Sequence, residues 1–269
     1  MSSNKKPAAE SARPQRVFIT GTSSGIGQAL ARHYANQGAQ LGLVARRKEL
    51  LETLRADLGT DCAIYAQDVR DAASLEQAAQ DFIQRFGVPD IVIANAGVSR
   101  GTLTENKEDI PAFKAVLEIN VLGMVHTFQP FIEGMRKAGK GSLVGIASVA
   151  GIRGLPGAGA YSASKAAAIS YLESLRVEMA PRGIAVTTIA PGYIRTPMTD
   201  VNSYKMPFLM DADVAASKFA KAIACKRRFV VIPWQMGVMA RLMRFVPPML
   251  WDWTMKNAPH KARMNWDWL

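Results

Sequence analysis

The chain carries few of the residues that crosslink proteins or bind metals. It has two cysteines, Cys62 and Cys225, and three histidines, His33, His126 and His260, in 269 residues. Two thiols so far apart in sequence build no disulfide framework and the histidines have no ligand spacing, so no metal is implied and both cysteines read as small buried hydrophobes. Residues 1–14 are polar, with Lys5, Lys6 and Pro7 and no apolar stretch, so a flexible tail and not a signal peptide is expected there. No uninterrupted apolar run approaches the roughly 18 residues of a membrane span. Internal repeats and low-complexity tracts are missing as well. Acidic residues are in deficit, 22 against 33 Lys and Arg, which gives a formal charge of +11. The basic residues are nevertheless dispersed and no recognition motif accompanies them, so nucleic acid is not an expected partner. With 49% hydrophobic residues the chain can bury a large core, and a single soluble, cytoplasmic α/β domain is expected.

Short apolar runs alternate with longer helical patterns along the chain. Strands are predicted over 17–20, 41–45, 62–66, 91–95, 142–147, 184–190 and 229–232, and helices over 25–36, 48–58, 72–86, 108–136, 160–180 and 211–224. Strands separated by helices imply parallel crossovers, hence a doubly wound, mostly or fully parallel sheet of about seven strands covered on both faces. Such a sheet binds its ligand beyond the strand C-termini. Gly21, Asn95, Ser148 and Pro191 all fall there.

The first strand runs into Gly21-Thr22-Ser23-Ser24-Gly25-Ile26-Gly27 and then into a helix-forming stretch. Glycines let the backbone approach a pyrophosphate, and a helix N-terminus offers unpaired N–H groups and a positive dipole end. The spacing Gly-x-x-x-Gly-x-Gly differs from the common dinucleotide fingerprint, and a purely structural turn is the alternative. Further on, Tyr161 and Lys165 stand four residues apart, thirteen residues after Ser148. On a helix, positions i and i+4 share a face, so an ammonium could acidify a phenol whose ordinary pKa is about 10. Alone the pair is weak, because chance gives about 0.3 such pairs in a chain of this composition.

Together, Thr20-Gly21-x-x-x-Gly25-Ile26-Gly27, Asn95-Ala96-Gly97, Asn120, Ser148, Tyr161-x-x-x-Lys165 and Pro191-Gly192 resemble the short-chain dehydrogenase/reductase family from about residue 16 to 233. One departure is Ala94, where many members have a second asparagine. The resemblance implies a Rossmann-like fold, a nicotinamide dinucleotide and a small-molecule carbonyl or alcohol substrate. It implies that Tyr161 exchanges a proton with the substrate oxygen and Ser148 polarises that oxygen. Lys165 would anchor the ribose and lower the pKa of Tyr161, and Asn120 would hold a water in the proton path. Ser23, Ser24, Ile26, Ala96, Gly97, Pro191, Gly192, Ile194 and Thr196 join the cofactor site, with Thr196 at the carboxamide. Asp68 and Val69 resemble the pair that meets the adenine. Relatives commonly form homodimers or homotetramers through the two long helices, here 108–136 and 160–180.

The second strand ends in Ala45-Arg46-Arg47 with no carboxylate, which favours the 2′-phosphate of NADP(H) over the free ribose of NAD(H). A solvated basic helix start is the plainer use of those arginines. In 198–210, Tyr204, Met206, Phe208, Leu209 and Met210 suggest a hydrophobic substrate, such as a fatty, ketoacyl or ring compound; simple packing would use the same residues. Residues 234–269 read as a helical extension of a 15–233 catalytic domain. There Met239, Leu242, Met243 and Val246 fall on one helical face edged by Arg241 and Arg244. A lid over the pocket or a subunit interface is the expected use, and peripheral contact with anionic lipid is the alternative. A dinucleotide-binding regulatory or scaffold protein without turnover is the other functional class. The joint presence of Tyr161, Lys165, Ser148 and Asn120 favours catalysis.

Overall fold

Alternation within Arg16–Thr20 (β1) sends Val17 and Ile19 to one face of a sheet and Phe18 to the other, and all three are buried. Gln40–Ala45 (β2) repeats the pattern with Leu41 and Leu43 against Val44, as a strand covered on both faces must. The structure is a computed structural model and describes residues 13–258 together with Lys261 and Arg263. The C-terminal tryptophans at 266 and 268, His260 and all but the last two residues of the predicted tail lie outside the described residues. Those two residues are not tail-like in position: the Arg13 guanidinium donates to both oxygens of Asp90, at 2.9 and 2.7 Å.

The remaining strands are Cys62–Ala66 (β3), Ile91–Ala94 (β4), Gly141–Ile146 (β5), Ile184–Pro191 (β6), Ile194–Arg195 (β7), Met210–Asp211 (β8) and Phe229–Ile232 (β9). Seven of them form one sheet in the order β3-β2-β1-β4-β5-β6-β9, every pair parallel. Representative registers are Thr20 beside Val44 and Val17 beside Ile91. From β1 the chain winds outward through β2 and β3, and from β4 it winds the other way. The connections therefore diverge between β1 and β4 and open a crevice at the strand C-termini. The expected doubly wound, mostly or fully parallel sheet of about seven strands is what the chain forms, with seven strands all parallel.

Helices Gly25–Ala35 (α1) and Lys48–Leu58 (α2) cover one face, joined there by Ala212–Ala224 (α8). Ala72–Phe86 (α3), Gly123–Ala138 (α5) and Gly159–Met179 (α6) cover the other, where Phe18, Phe82 and Phe131 pack edge to face or tilted. Short helices Ile110–Leu117 (α4) and Pro197–Asp200 (α7) flank the crevice, and Trp234–Phe245 (α9) and Pro248–Met255 (α10) follow β9.

The fold departs from the sequence expectations at three places. The helix predicted over 108–136 begins with a 3-10 turn at Lys107–Asp109 and is interrupted by a π turn at Glu118–Leu122, between α4 and α5. Periodicity misses an inserted residue because apolar side chains resume on schedule afterwards. This rod, Lys107–Ala138, also has the length and apolar composition of a membrane span, but half of its most apolar window is buried inside the fold, as in a core helix. Second, the cysteines are not buried hydrophobes: Cys62 is half-buried, and Cys225, one residue beyond α8, is exposed. Third, the chain forms a small parallel pair of β7 and β8, Ile194 beside Met210, where no strands are expected. Two-residue strands leave no periodic signal.

Candidate active site

The floor of the crevice is the turn from β1 to α1. Gly21 has φ of +74°, and a Cβ there would lie 2.7 Å from the Cα of Ala96. A Cβ on Gly27 would collide with the Gly21 carbonyl oxygen and reach within 2.5 Å of Asn95 Nδ2. Asn95 uses that amide to donate to the Thr20 and Gly21 carbonyls, at 3.0 and 3.1 Å, tying the end of β4 to the glycine turn. At the start of α1, Ser24 forms no side-chain cap and the first turn holds no acid. The exposed N–H groups and dipole of that terminus therefore face the crevice without a side-chain counterpart, which suits a phosphate.

A cleft of about 320 Å³ opens above this floor. It is lined by Gly21, Ser23, Ser24, Gly25, Ile26, Arg46, Arg47, Asp68, Val69, Asn95, Ala96, Gly97, Ser148, Tyr161, Lys165, Pro191, Gly192, Ile194 and Thr196, residues named from the sequence alone. Gly27 and Asn120 are not in its wall. Gly27 lies beneath the turn, and Asn120 sits on the π turn with its side chain fully engaged elsewhere. The Asn120 Oδ1 accepts from the Val98 N–H at 2.8 Å, and its Nδ2 donates to the Val98 carbonyl and to Ser164 Oγ, each at 2.9 Å. Asn120 thus positions the loop after β4 against α6. The residue completing that link, Ser164, is fully buried and donates to the Tyr161 carbonyl at 2.7 Å. It stands inside the Tyr-x-x-x-Lys run, and only its place on the inner face of α6 could have marked it.

Tyr161, Ser148 and Lys165 converge at one end of the cleft. Ser148 caps a short 3-10 turn by accepting from the Ala150 N–H at 3.1 Å, which fixes its hydroxyl near the Tyr161 phenol. Lys165 is 4% exposed; its Nζ donates to the Ile146 carbonyl at 2.9 Å and lies 5.8 Å from the centroid of the Tyr161 ring. Burial pulls the Lys165 ammonium down to about 8. Burial also pushes the Tyr161 phenol up, and the hydrogen bond from Ser148 pulls it back in part. Burial is the larger influence on the phenol in this structure, whereas the sequence reading looks to Lys165 to lower it. A phenol held protonated at neutral pH is a ready proton donor.

At the opposite end, Arg46 and Arg47 are exposed where β2 stops. Arg47 donates to Ser23 Oγ at 2.8 Å, and Arg46 lies 3.9 Å from Asp68. Asp68 is gripped by Arg70 through its backbone N–H at 2.9 Å and its guanidinium at 2.8 and 3.1 Å. Burial would raise the Asp68 carboxyl, but those bonds and the charges of Arg70 and Arg46 outweigh it and hold it below the usual range. The Arg70 clasp is an i,i+2 turn contact that no motif announces.

The mouth is bordered by residues 196–199 and, among the described residues beyond α10, by Lys261. Thr196 and Thr199 cap α7 reciprocally, with Thr196 N–H donating to Thr199 Oγ1 at 3.0 Å, and Met198 and Thr199 join the cleft wall. Tyr204 packs against Tyr193 with ring centroids 6.3 Å apart and is close enough to Tyr161 for the phenols to interact. Phe208 is 48% exposed and is not part of the cleft wall. Lys261 Nζ donates to Ser99 Oγ at 3.2 Å and to the Met198 carbonyl at 3.1 Å, bridging the two sides of the mouth. Arg263 then pairs with Asp109, a fully buried carboxylate that also accepts from the Leu103 N–H at 2.7 Å.

Residues 15–206 match the family model described as short chain dehydrogenase. The chain belongs to the short-chain dehydrogenase family. Among relatives in this family, an uncharacterized oxidoreductase of Myxococcus xanthus is 35% identical over 88% of this chain and 94% of its own length. The 11-beta-hydroxysteroid dehydrogenase-like 2 of Arabidopsis thaliana is 39% identical over 77% of this chain and 68% of its own. An alcohol dehydrogenase from the archaeon Thermococcus sibiricus, solved with 5-hydroxy-NADP, superposes with a TM-score of 0.72 at 27% identity, over 82% of this chain and 96% of that one. This short-chain dehydrogenase is accordingly an oxidoreductase of the CH-OH/C=O type with a Rossmann-like architecture.

Proposed function

We propose that this short-chain dehydrogenase uses NADP(H) and acts on the carbonyl or alcohol of a hydrophobic small molecule, such as a fatty, ketoacyl or ring compound. The observation that carries the reading is the convergence of Tyr161, Ser148 and Lys165 at one end of a cleft whose other end carries Arg46 and Arg47. When bound, the dinucleotide supplies or takes up the hydride. The glycine turn and the N-terminus of α1 would hold its pyrophosphate, Asn95 to Gly97 and Pro191 to Thr196 would flank the nicotinamide half, and Asp68 and Val69 the adenine. Ser148 holds the substrate oxygen beside the phenol of Tyr161, which gives a proton in reduction and takes one in oxidation. Lys165 would bond the nicotinamide ribose, and Asn120 keeps the π turn and α6 in register beneath it.

Cofactor choice rests on charge at the end of β2. The nearby carboxylate, Asp68, is already neutralised by Arg70, so the ribose end presents net positive charge, as a 2′-phosphate requires. Side-by-side titration should therefore show tighter binding of NADPH than of NADH, and Arg46→Asp should reverse the order, with NADPH losing about 2–3 kcal/mol, the scale of a charge-assisted contact. Wild-type preference for NADH would overturn this assignment.

Self-association as a homodimer or homotetramer is part of the proposal. It is supported by Ile110, Leu117, Leu122 and Val177, apolar side chains left exposed along α4, the π turn and α6. At the mouth, the Lys261 and Arg263 contacts support a lid role for the end of the chain. Truncation after residue 258, which spares α9 and its buried Met236 and Ala240, should raise KM for substrate several-fold and leave NADPH affinity unchanged. Asp109→Asn should do the same more weakly by loosening Arg263. Equal loss of NADPH affinity would remove the lid role.

A further inference from the structure

Helix α9 has two apolar faces. At 100° per residue, Met236, Ala240 and Met243 fall within about 60° of one another and turn toward β9 and the core. Trp234, Val238, Leu242 and Phe245 fall within about 80° of one another on the opposite side. That outer stripe is bare: Trp234 is 70%, Leu242 63% and Phe245 83% exposed. The face expected from the sequence, Met239, Leu242, Met243 and Val246, is in fact split between the two sides. Helix α10 continues the outer stripe with Met249 at 86% and Trp253 at 75% exposure, while Trp251 turns inward beneath Arg153, 4.7 Å from its guanidinium carbon. Arg153 also donates to the Met243 and Val246 carbonyls, at 2.9 and 2.8 Å. The end of α9 and the turn into α10 are thus fastened to the segment that follows Ser148, so the two helices form a fixed platform.

We infer that this platform docks on the surface of an anionic lipid bilayer. A helix apolar on both faces is stable when the second face also leaves water, and a membrane interface is the environment that takes Trp, Phe, Leu and Met beside arginines. The charge agrees. Over α9 and α10, from Trp234 to Lys256, the chain has three basic residues, Arg241, Arg244 and Lys256, and one acid, Asp252. Arg241 and Arg244 stand on α9 beside the stripe, and both are exposed. Each basic residue near an anionic surface adds to the attraction. The same charge opposes self-pairing through this face, since an isologous contact would set two such basic clusters against each other. Docking would set the platform, and with it the Arg153 segment beside the active site, against the phase in which hydrophobic substrates concentrate.

Flotation of the full-length protein with phosphatidylcholine vesicles, with and without phosphatidylglycerol, tests the inference without any activity readout. The protein should float with the phosphatidylglycerol vesicles at low salt and be released at high salt, because the basic contacts act over a Debye length of about 10 Å at 0.1 M. Leu242→Glu with Phe245→Glu should lower the bound fraction at least tenfold, with an unchanged melting temperature because both side chains lie outside the core. Should that pair disturb folding, Arg241→Gln with Arg244→Gln should weaken binding and flatten its salt dependence. Failure to float with the anionic vesicles would overturn the inference, as would flotation indifferent to these substitutions. A dimer that the Leu242 and Phe245 substitutions dissociate, in a protein that ignores vesicles, would assign the face to a second copy instead.

Discussion

Tyr161→Phe is expected to lower turnover by at least about 100-fold, the usual contribution of a general acid, with NADPH affinity nearly unchanged. The phenylalanine keeps the ring against which Lys165 rests and removes only the oxygen that meets Ser148. The pH dependence of each direction follows from the same group. Burial raises the phenol above its ordinary value, so it stays protonated through neutral pH, and the reductive rate should be flat there and fall only in alkali. Oxidation needs the phenolate and should accelerate as pH rises above neutrality. Near-normal turnover in the Tyr161→Phe variant would remove the phenol from the mechanism. An oxidative rate that peaks below neutral pH would show instead that the acid–base group is not a buried phenol.

The fold and much of the cleft were legible in the sequence because both rest on short-range chemistry. β-Branched and aromatic runs bounded by turns mark β1, β2 and β4, and the glycines between β1 and α1 mark a backbone approach that no side chain permits. Residues placed by tertiary contact were not legible. Ser164 is one more small residue on a helix until Asn120 is seen to need a partner. Asp109 looks like an ordinary helix-start acid until Arg263, 154 residues away, is found on it. The π turn at Glu118–Leu122 escapes periodicity because it inserts a residue and then restores the pattern, yet it is what presents Asn120 to Val98. The inward or outward sense of α9 could not be chosen from a helix with apolar residues on two sides.

Lys165→Met separates function from stability in opposite directions. The ammonium is 4% exposed and donates to the Ile146 carbonyl. Burial brings its pKa from 10.5 to about 8, and a gap of that size corresponds to a cost of roughly 3 kcal/mol for keeping the charge buried at neutral pH. Methionine fills similar space without charge and forfeits a hydrogen bond worth about 1–2 kcal/mol, so the variant should be more stable than the parent at pH 7 by about 1–2 kcal/mol. Because the folded pKa lies below the unfolded one, the unfolded parent binds more protons between pH 8 and 10.5, and parental stability rises with pH across that window. The variant lacks this rise, so its advantage should shrink steadily from pH 8 upward. Turnover should meanwhile fall by at least about 100-fold and NADPH affinity should drop, since the group proposed to hold the nicotinamide ribose beside Tyr161 is gone. Denaturant titrations of both proteins at pH 7 and pH 10, with NADPH binding measured at pH 7, decide the matter. A variant less stable than the parent at pH 7 would mean that the fold gains from the charge, and that Lys165 is a structural residue first.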